Sequence, residues 1–352
     1  MRHHRRLSYV AVSLGFGLFL ADVRNVRADA QAPLDPNAFA SLGSIGNQTL
    51  AFHFDTGDGT STPVALGVNP VPMNGVIFNG IAVFDFTNIS LPNGSSITAS
   101  GSLPLAILSR GDVSIQGTIN VAANGTTPGP GGSSPLLPSP TPPGPGAGGP
   151  SGGGGFGGIG GGSTGGVAYG DPTHVFFGGS NGGSGGIATG GSGGGGFELS
   201  AVGDISVGGS SNSGIFDDGG AGQNSSNSAG GGGGSGGGIF LATPGQISVT
   251  ATAILATGGS GGNGTVAAGG GGGGGRILFE TSNYLASEAI VDSIGGSGGS
   301  AIATVGADGG NGTFDVTSYV PAVPEPEIGA AFWLGAPAML LRRRGKTRTN
   351  SV

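Results

Sequence analysis

Short apolar pairs with one residue between them recur along this chain at a step of eight. From residue 81 they run Ile81/Val83, Ile89/Leu91, Ile97/Ala99, Leu105/Ile107, Val113/Ile115 and Val121/Ala123. Alternation within a pair points one side chain in and the next out, the mark of a half-buried strand. Turn formers separate the pairs: Asn88, Pro92-Asn93-Gly94, Gly101, Gly111-Asp112 and Gly117. After residue 193 the step returns. Phe197/Leu199 leads to Ile205/Val207, Ile239/Leu241 to Ile247/Val249 and Leu255, and Ile277/Phe279 to Leu285. A phrase repeats with it: Gly111-Asp112-Val113-Ser114-Ile115, Gly203-Asp204-Ile205-Ser206-Val207 and Gly245-Gln246-Ile247-Ser248-Val249.

Self-similarity at a fixed period predicts a solenoid. Three eight-residue sides close a coil of about 24 residues, and stacked coils bury the pairs. The fold class expected is therefore all-β. Over residues 81–319 the pattern resembles a right-handed parallel β-helix of the pectin-lyase-like sort, with long glycine-rich loops leaving one corner. Pairs eight apart also suit hairpins, so an antiparallel β-sandwich is the alternative.

Composition complicates the scaffold. Glycine supplies 84 of 352 residues, several times its usual share. No strict Gly-X-Y period runs through it, which excludes a collagen helix. Glycine adds nothing to a core and raises the entropy cost of folding, so its runs read as loops that need no packing partner. Residues 126–196 break the register. Pro138-Ser139-Pro140-Thr141-Pro142-Pro143 lies in a stretch expected to be extended or disordered. Residues 152–196 read as a surface loop or a damaged repeat. The resulting division is a signal peptide at 1–30, a β cap region at 31–80, first coils at 81–125, an insertion at 126–196, glycine-rich repeats at 197–320 and a terminal signal at 321–352.

Both ends carry targeting features. Arg2, Arg5 and Arg6 precede an apolar run, and Ala28-Asp29-Ala30 places small residues at the cleavage positions, so the mature chain is expected to start at Gln31. At the other end stand Val323-Pro324-Glu325-Pro326, an apolar stretch at 328–341 expected to form one short helix, and Arg342-Arg343-Arg344. That stretch is short for a bilayer span, and the basic cluster after it orients it with the arginines inside. The order resembles the PEP-CTERM sorting signal of exported bacterial proteins. The resemblance implies export, processing near Pro324-Glu325-Pro326 by a membrane-embedded exosortase-like enzyme, and residence in the cell envelope or extracellular polymer matrix. It also implies membrane attachment through the C-terminal segment before processing.

Charge narrows the partners. Between Gln31 and Pro324 stand 15 acidic residues against two basic ones, Arg110 and Arg276, a net charge of −13. Nucleic-acid binding relies on Lys and Arg at phosphates, so it is excluded. With no cysteine, thiol chemistry and thiolate metal sites are excluded too. His53 and His174 read as surface or packing residues, and Arg110 and Arg276 as exposed or ion-paired residues beside strands. Asp55 and Asp58 read as turn residues.

Asp112, Asp204 and Gln246 share one place in the repeated phrase. They read as corner residues bonding the backbone of their own turn, with a calcium ladder built on Asp112 and Asp204 as the sharper alternative. No catalytic residue and no cofactor stand out. The expected function is that of a non-enzymatic structural or interaction protein, with extracellular polysaccharide or matrix proteins as partners. A β-helical polysaccharide lyase or glycosidase, which needs paired carboxylates or a base with a cation, and a calcium-dependent adhesin are the alternatives.

Overall fold

Strand follows strand, and no α-helix occurs among the described residues. The computed structural model describes residues 33–46, 51–67, 72–135, 144–170, 177–210, 213–302 and 304–321. Ala28, Ala30, Gln31, His174, Val323, Pro324, Glu325, Pro326, the expected helix at 328–341 and Arg342, Arg343 and Arg344 lie outside them.

The repeat strands stack in three columns. The first holds Ile81–Phe86, Leu105–Ser109, Gly196–Ala201, the leading halves of Gly238–Thr250 and Arg276–Ser287, and Thr313–Thr317. Ile89–Leu91, Val113–Ile115, Ile205–Val207 and the trailing halves of the two long strands form the second. Ser96–Ser100, Thr118–Asn120, Gly214–Phe216, Ala253–Leu255 and Ile290–Asp292 form the third. Every pair within these columns is parallel. Among the named strands antiparallel pairing occurs at the N-terminal edge, where Val64–Leu66 joins Ala51–Asp55 and Met73–Asn74, and Val76–Phe78 joins Ile81–Phe86. The three copies of the Gly-Asp phrase lie side by side, Val113 against Ile205 and Ile205 against Ile247.

The apolar pairs build one interior. Ile97, Leu105, Ile107, Val113, Ile115, Phe197, Leu199, Ile239, Leu241, Ile277 and Phe279 all belong to a single buried cluster. At its C-terminal end the rings of Phe279, Tyr284 and Phe314 meet edge to face at 5.1–6.1 Å and plug the interior.

One column departs from in-out alternation. Leu105–Ser109 and Gly196–Ala201 are buried on both faces. The N-terminal segment covers the outer side, with Leu34 and Phe39 packed on Val83, Ala106 and Leu108. Tyr319 covers Phe240, Ala242 and Leu278. A sheet face covered in this way needs apolar residues at consecutive positions, and Ile239-Phe240-Leu241-Ala242 and Ile277-Leu278-Phe279 supply them.

The glycine runs are not loose loops. Each leaves the third column, runs outward, turns and returns to the first: 217–225 with 230–237, 256–264 with 269–275, 293–300 with 306–312. Along 230–237 the amide donors choose their partners with a period of three. Gly230, Gly233 and Gly236 donate to Ala267, Gly270 and Gly273 in the next hairpin. Gly231, Gly234 and Gly237 donate to Gln223, Gly220 and Asp217 in their own. Gly232 and Ser235 donate to Gly183 and Ser180 in the preceding segment. Three residues per turn is the polyproline II pitch, a helix whose bonds are made to neighbours because none is made internally.

The hairpins thus form a layered lattice. The insertion is part of it, with Gly154 donating to Gly233, Gly158 to Gly274 and Gly161 to Gly271. Glycine is required by proximity more than by φ. Left-handed φ occurs at few lattice glycines, whereas a Cβ on Gly272 would lie 1.9 Å from the carbonyl oxygen of Gly234. Residues 269–275 are all glycine and all buried, because neighbours surround that helix on every side.

Candidate functional site

The lattice also creates the most regular surface of the molecule. Its outer row consists of 218–225, 257–264 and 294–300. Gly219, Gly222 and Ser225 donate to the carbonyls of Thr257, Ser260 and Asn263; Gly258, Gly261 and Gly264 donate to those of Ile294, Ser297 and Ser300. With two of three faces bonded to neighbours, every third residue faces solvent, and Gln223 near the hairpin turn joins them. Gly259, Gly262, Ser293, Gly296 and Gly299 are buried, whereas Ala221, Asn224, Ser260, Asn263, Ile294, Ser297 and Ser300 are exposed. Side chains therefore stand about 9 Å apart along each helix and about 5 Å apart between helices that continue paired strands.

Hydrogen bonds hold this array flat. Thr257 donates its N–H and hydroxyl to Asp218 Oδ1 at 2.8 and 2.7 Å. Asn263 N–H donates to Asn224 Oδ1 at 2.6 Å, and Ser300 N–H to Asn263 Oδ1 at 2.8 Å. Asp218, at one margin, is the only charged member. The amide and hydroxyl groups on it suit an uncharged, hydroxyl-rich partner better than an ionic one. Sequence reading missed this face because it treated the glycine runs as featureless. The signal was present in the period-three spacing of Thr257, Ser260 and Asn263 and of Ile294, Ser297 and Ser300.

The corner ladder has a structural task. Asp112 Oδ1 accepts the N–H of Asp204 at 3.0 Å, and Asp204 Oδ1 that of Gln246 at 2.8 Å. Asn283 Nδ2 donates to Gln246 Oε1 at 3.2 Å. Each carboxylate binds the start of the next strand in its column, not its own turn. Glycine precedes it in the phrase because a Cβ on Gly203 would lie 2.1 Å from Asp112 Oδ1. Among the described residues no group of three or more His, Asp or Glu side chains is gathered as a metal site requires.

Asp58 Oδ1 accepts the N–H and hydroxyl of both Thr60 and Ser61 at 2.8–2.9 Å. The Thr60 hydroxyl first, then the other donors, hold this carboxyl below its ordinary range. His53 rests between two hydroxyls, Nδ1 3.0 Å from Thr98 Oγ1 and Nε2 2.9 Å from Ser100 Oγ. Arg110 pairs with Asp85 at 2.9 Å. Arg276 is not an exposed edge residue. It is buried with its guanidinium 5.4 Å from the Phe156 ring centre, and Nη2 donates to the carbonyls of Tyr169 and Gly170 at 2.8 and 3.2 Å. It fastens the insertion to the first column.

Glu198 and Glu280 escaped the sequence reading, and Asp217, which beside Asp218 reads as a loop-solvating residue, is buried. Asp217 sits at the root of a hairpin, accepts the N–H of Gly195, and has its pKa pushed well up by burial. Glu198 and Glu280 face outward from the first column under its cover, and burial raises each to about 7. Their signal was an acidic residue where the preceding strand carries an apolar one. Glu198 aligns with Ala106 and Phe240, and Glu280 with Ala242 before it and Thr317 after it.

No family model matches the chain, and neither curated proteins nor solved structures give a match.

Proposed function

We propose that this chain is an exported, non-enzymatic protein of the cell envelope or extracellular matrix. In this reading the three columns are a right-handed parallel β-helix that carries a glycine lattice, and the lattice face binds neutral polysaccharide. The observation that carries the proposal is the flat array of Ala221, Asn224, Ser260, Asn263, Ser297 and Ser300. Its groups donate and accept hydrogen bonds at a fixed spacing, as a polymer of repeating hydroxyls requires. Its lack of cations, together with the −13 charge of residues 31–324, disfavours anionic polymers. The PEP-CTERM-like order Val323-Pro324-Glu325-Pro326 to Arg342-Arg343-Arg344 supplies the address, with an exosortase-like enzyme as the processing partner.

Co-sedimentation with insoluble neutral and acidic polysaccharides tests the binding. Retention on a neutral polymer, abolished by Ser260→Glu with Ser297→Glu, is the expected result. Equal retention of wild type and the double variant removes the face from the proposal. Fractionation of cells carrying Pro324, Glu325 and Pro326 replaced by alanine tests the address, and unchanged processing and location refute it.

A further inference from the structure

The two ends of the described region meet on one side of the first column. Leu34, fourth residue of the expected mature chain, donates its N–H to Glu198 Oε1 at 2.7 Å. Ser200 Oγ donates to the same oxygen at 2.6 Å. Val320, three residues before Val323, donates its N–H to Glu280. In each carboxyl the other oxygen, Oε2, is buried without a partner among the described residues. A buried, half-satisfied carboxyl is tolerable when neutral and costly when charged.

We propose that Glu198 and Glu280 form a latch that clamps both ends, at Leu34 and Val320, while the carboxyls are neutral, and frees them when the carboxyls are charged. Burial opposes charge on both carboxyls and outweighs the Ser200, Leu34 and Val320 donors, which favour it. Tyr319, from the C-terminal segment, interacts electrostatically with both carboxyls and with Asp35 of the N-terminal segment. Glu198 and Glu280 repel each other. Asp85, on the same column, is paired with Arg110, which also donates to the Phe39 carbonyl. Arg276 lies on the Glu280 strand but is directed at Phe156, Tyr169 and Gly170. Asp315, on the last strand, adds one more negative charge. The intervening strand contributes Phe240 and Ala242, which are apolar.

Opening follows alkalinity. In the closed state each carboxyl titrates near 7, and once released it returns to its ordinary 4.5. The open population then rises roughly 10- to 100-fold between pH 5 and pH 8. The segment set free, Tyr319 to Pro321, links the folded body to the region of the expected sorting signal. The latch thus sets the length of that link by pH. It goes beyond the binding proposal and does not depend on it.

Hydrogen exchange on the full protein tests the latch at the amides of Leu34 and Val320, with Ile254 as an interior reference, from pH 5 to pH 9 after correction for intrinsic rates. The expected result is protection at Leu34 and Val320 that falls 10- to 100-fold while Ile254 stays protected. Glu280→Gln should flatten the response at Val320, and Glu198→Gln that at Leu34. Wild-type protection that does not change with pH, or that changes only together with Ile254, overturns the proposal, and this result needs no variant to fold. A full pH response at Val320 in Glu280→Gln also overturns it.

Discussion

A methyl group added to the middle of the glycine lattice should damage the protein more than one added at a strand corner outside it. Gly272 is the decisive position. It lies in the all-glycine helix at 269–275, donates to the Gly259 carbonyl and accepts from the Gly296 amide. Its φ is not left-handed, so alanine has no backbone objection and would ordinarily stabilise by up to about 1 kcal/mol through the unfolded chain. The obstacle is space: the new Cβ would stand 1.9 Å from the Gly234 oxygen and 2.4 Å from its carbon. The backbone of 230–237 must then retreat by more than 1 Å, roughly the gap to an ordinary contact. Overpacking costs about 1–3 kcal/mol, and each lattice bond it lengthens about 1 kcal/mol more. Gly272→Ala should therefore lose about 2–4 kcal/mol. Gly208→Ala is the control, because its Cβ would meet only the Thr250 oxygen, at 3.4 Å. Urea unfolding of both variants against wild type, at constant m, measures the difference. Equal midpoints for Gly272→Ala and Gly208→Ala would refute the packed lattice and return the glycine runs to loops.

Other expectations are separate. Glu198 is buried and raised from 4.5 to about 7, so the folded state prefers its neutral form. Wild type should lose stability as pH climbs from 4.5 through 7. Glu198→Gln, which has nothing to ionise, should gain about 3 kcal/mol on wild type at pH 8 and nothing at pH 4; urea midpoints at the two pH values measure it. Asp204→Ala removes the acceptor of the Gln246 N–H and should cost about 1 kcal/mol. Asp204→Asn keeps the acceptor and should cost little, with calcium changing neither result in thermal unfolding. Arg276→Met keeps the apolar stem but loses the bonds to Tyr169 and Gly170; limited proteolysis should then cut within 146–170 earlier than in wild type. Unchanged cleavage there would remove Arg276 as the fastener.

The strands were legible because their signal is local. Alternation inside each pair, turn residues between pairs and the recurring Gly-Asp phrase belong to short windows, and the stacked registers follow them. The lattice was hidden because its bonds join residues far apart, such as Gly158 to Gly274 and Gly161 to Gly271. Nothing near Gly158 in sequence distinguishes a helix in a lattice from a flexible linker. The outward face was half legible: Thr257, Ser260 and Asn263 keep a period of three, but period three has meaning only once neighbours are known to occupy the other two faces. Glu198 was missed by the same limit. A carboxylate inside Gly196-Phe197-Glu198-Leu199 reads as the polar side of a strand, and only Leu34, 164 residues away, reveals that side as covered.

Energetics bind the two halves together. Fixing a residue's backbone costs roughly 1–2 kcal/mol, and glycine is at the expensive end. A hydrogen bond returns a net 0.5–1.5 kcal/mol or so. A glycine helix with one donated and one accepted bond per residue is thus close to balance and buries no apolar side chain to tip it. The strand columns supply the surplus, through the interior that runs from Phe54 to Phe279. They also supply the register. Each hairpin starts from one strand and ends on another, as 217–237 does between Gly214–Phe216 and Gly238–Thr250, so its two ends are already placed before it forms. Neighbouring hairpins inherit the spacing of paired strands, the spacing that interchain backbone bonds need. The lattice is therefore a dependent structure. It cannot fold ahead of the columns, and the array of Ser260, Asn263, Ser297 and Ser300 is only as flat as the strand columns beneath it are regular.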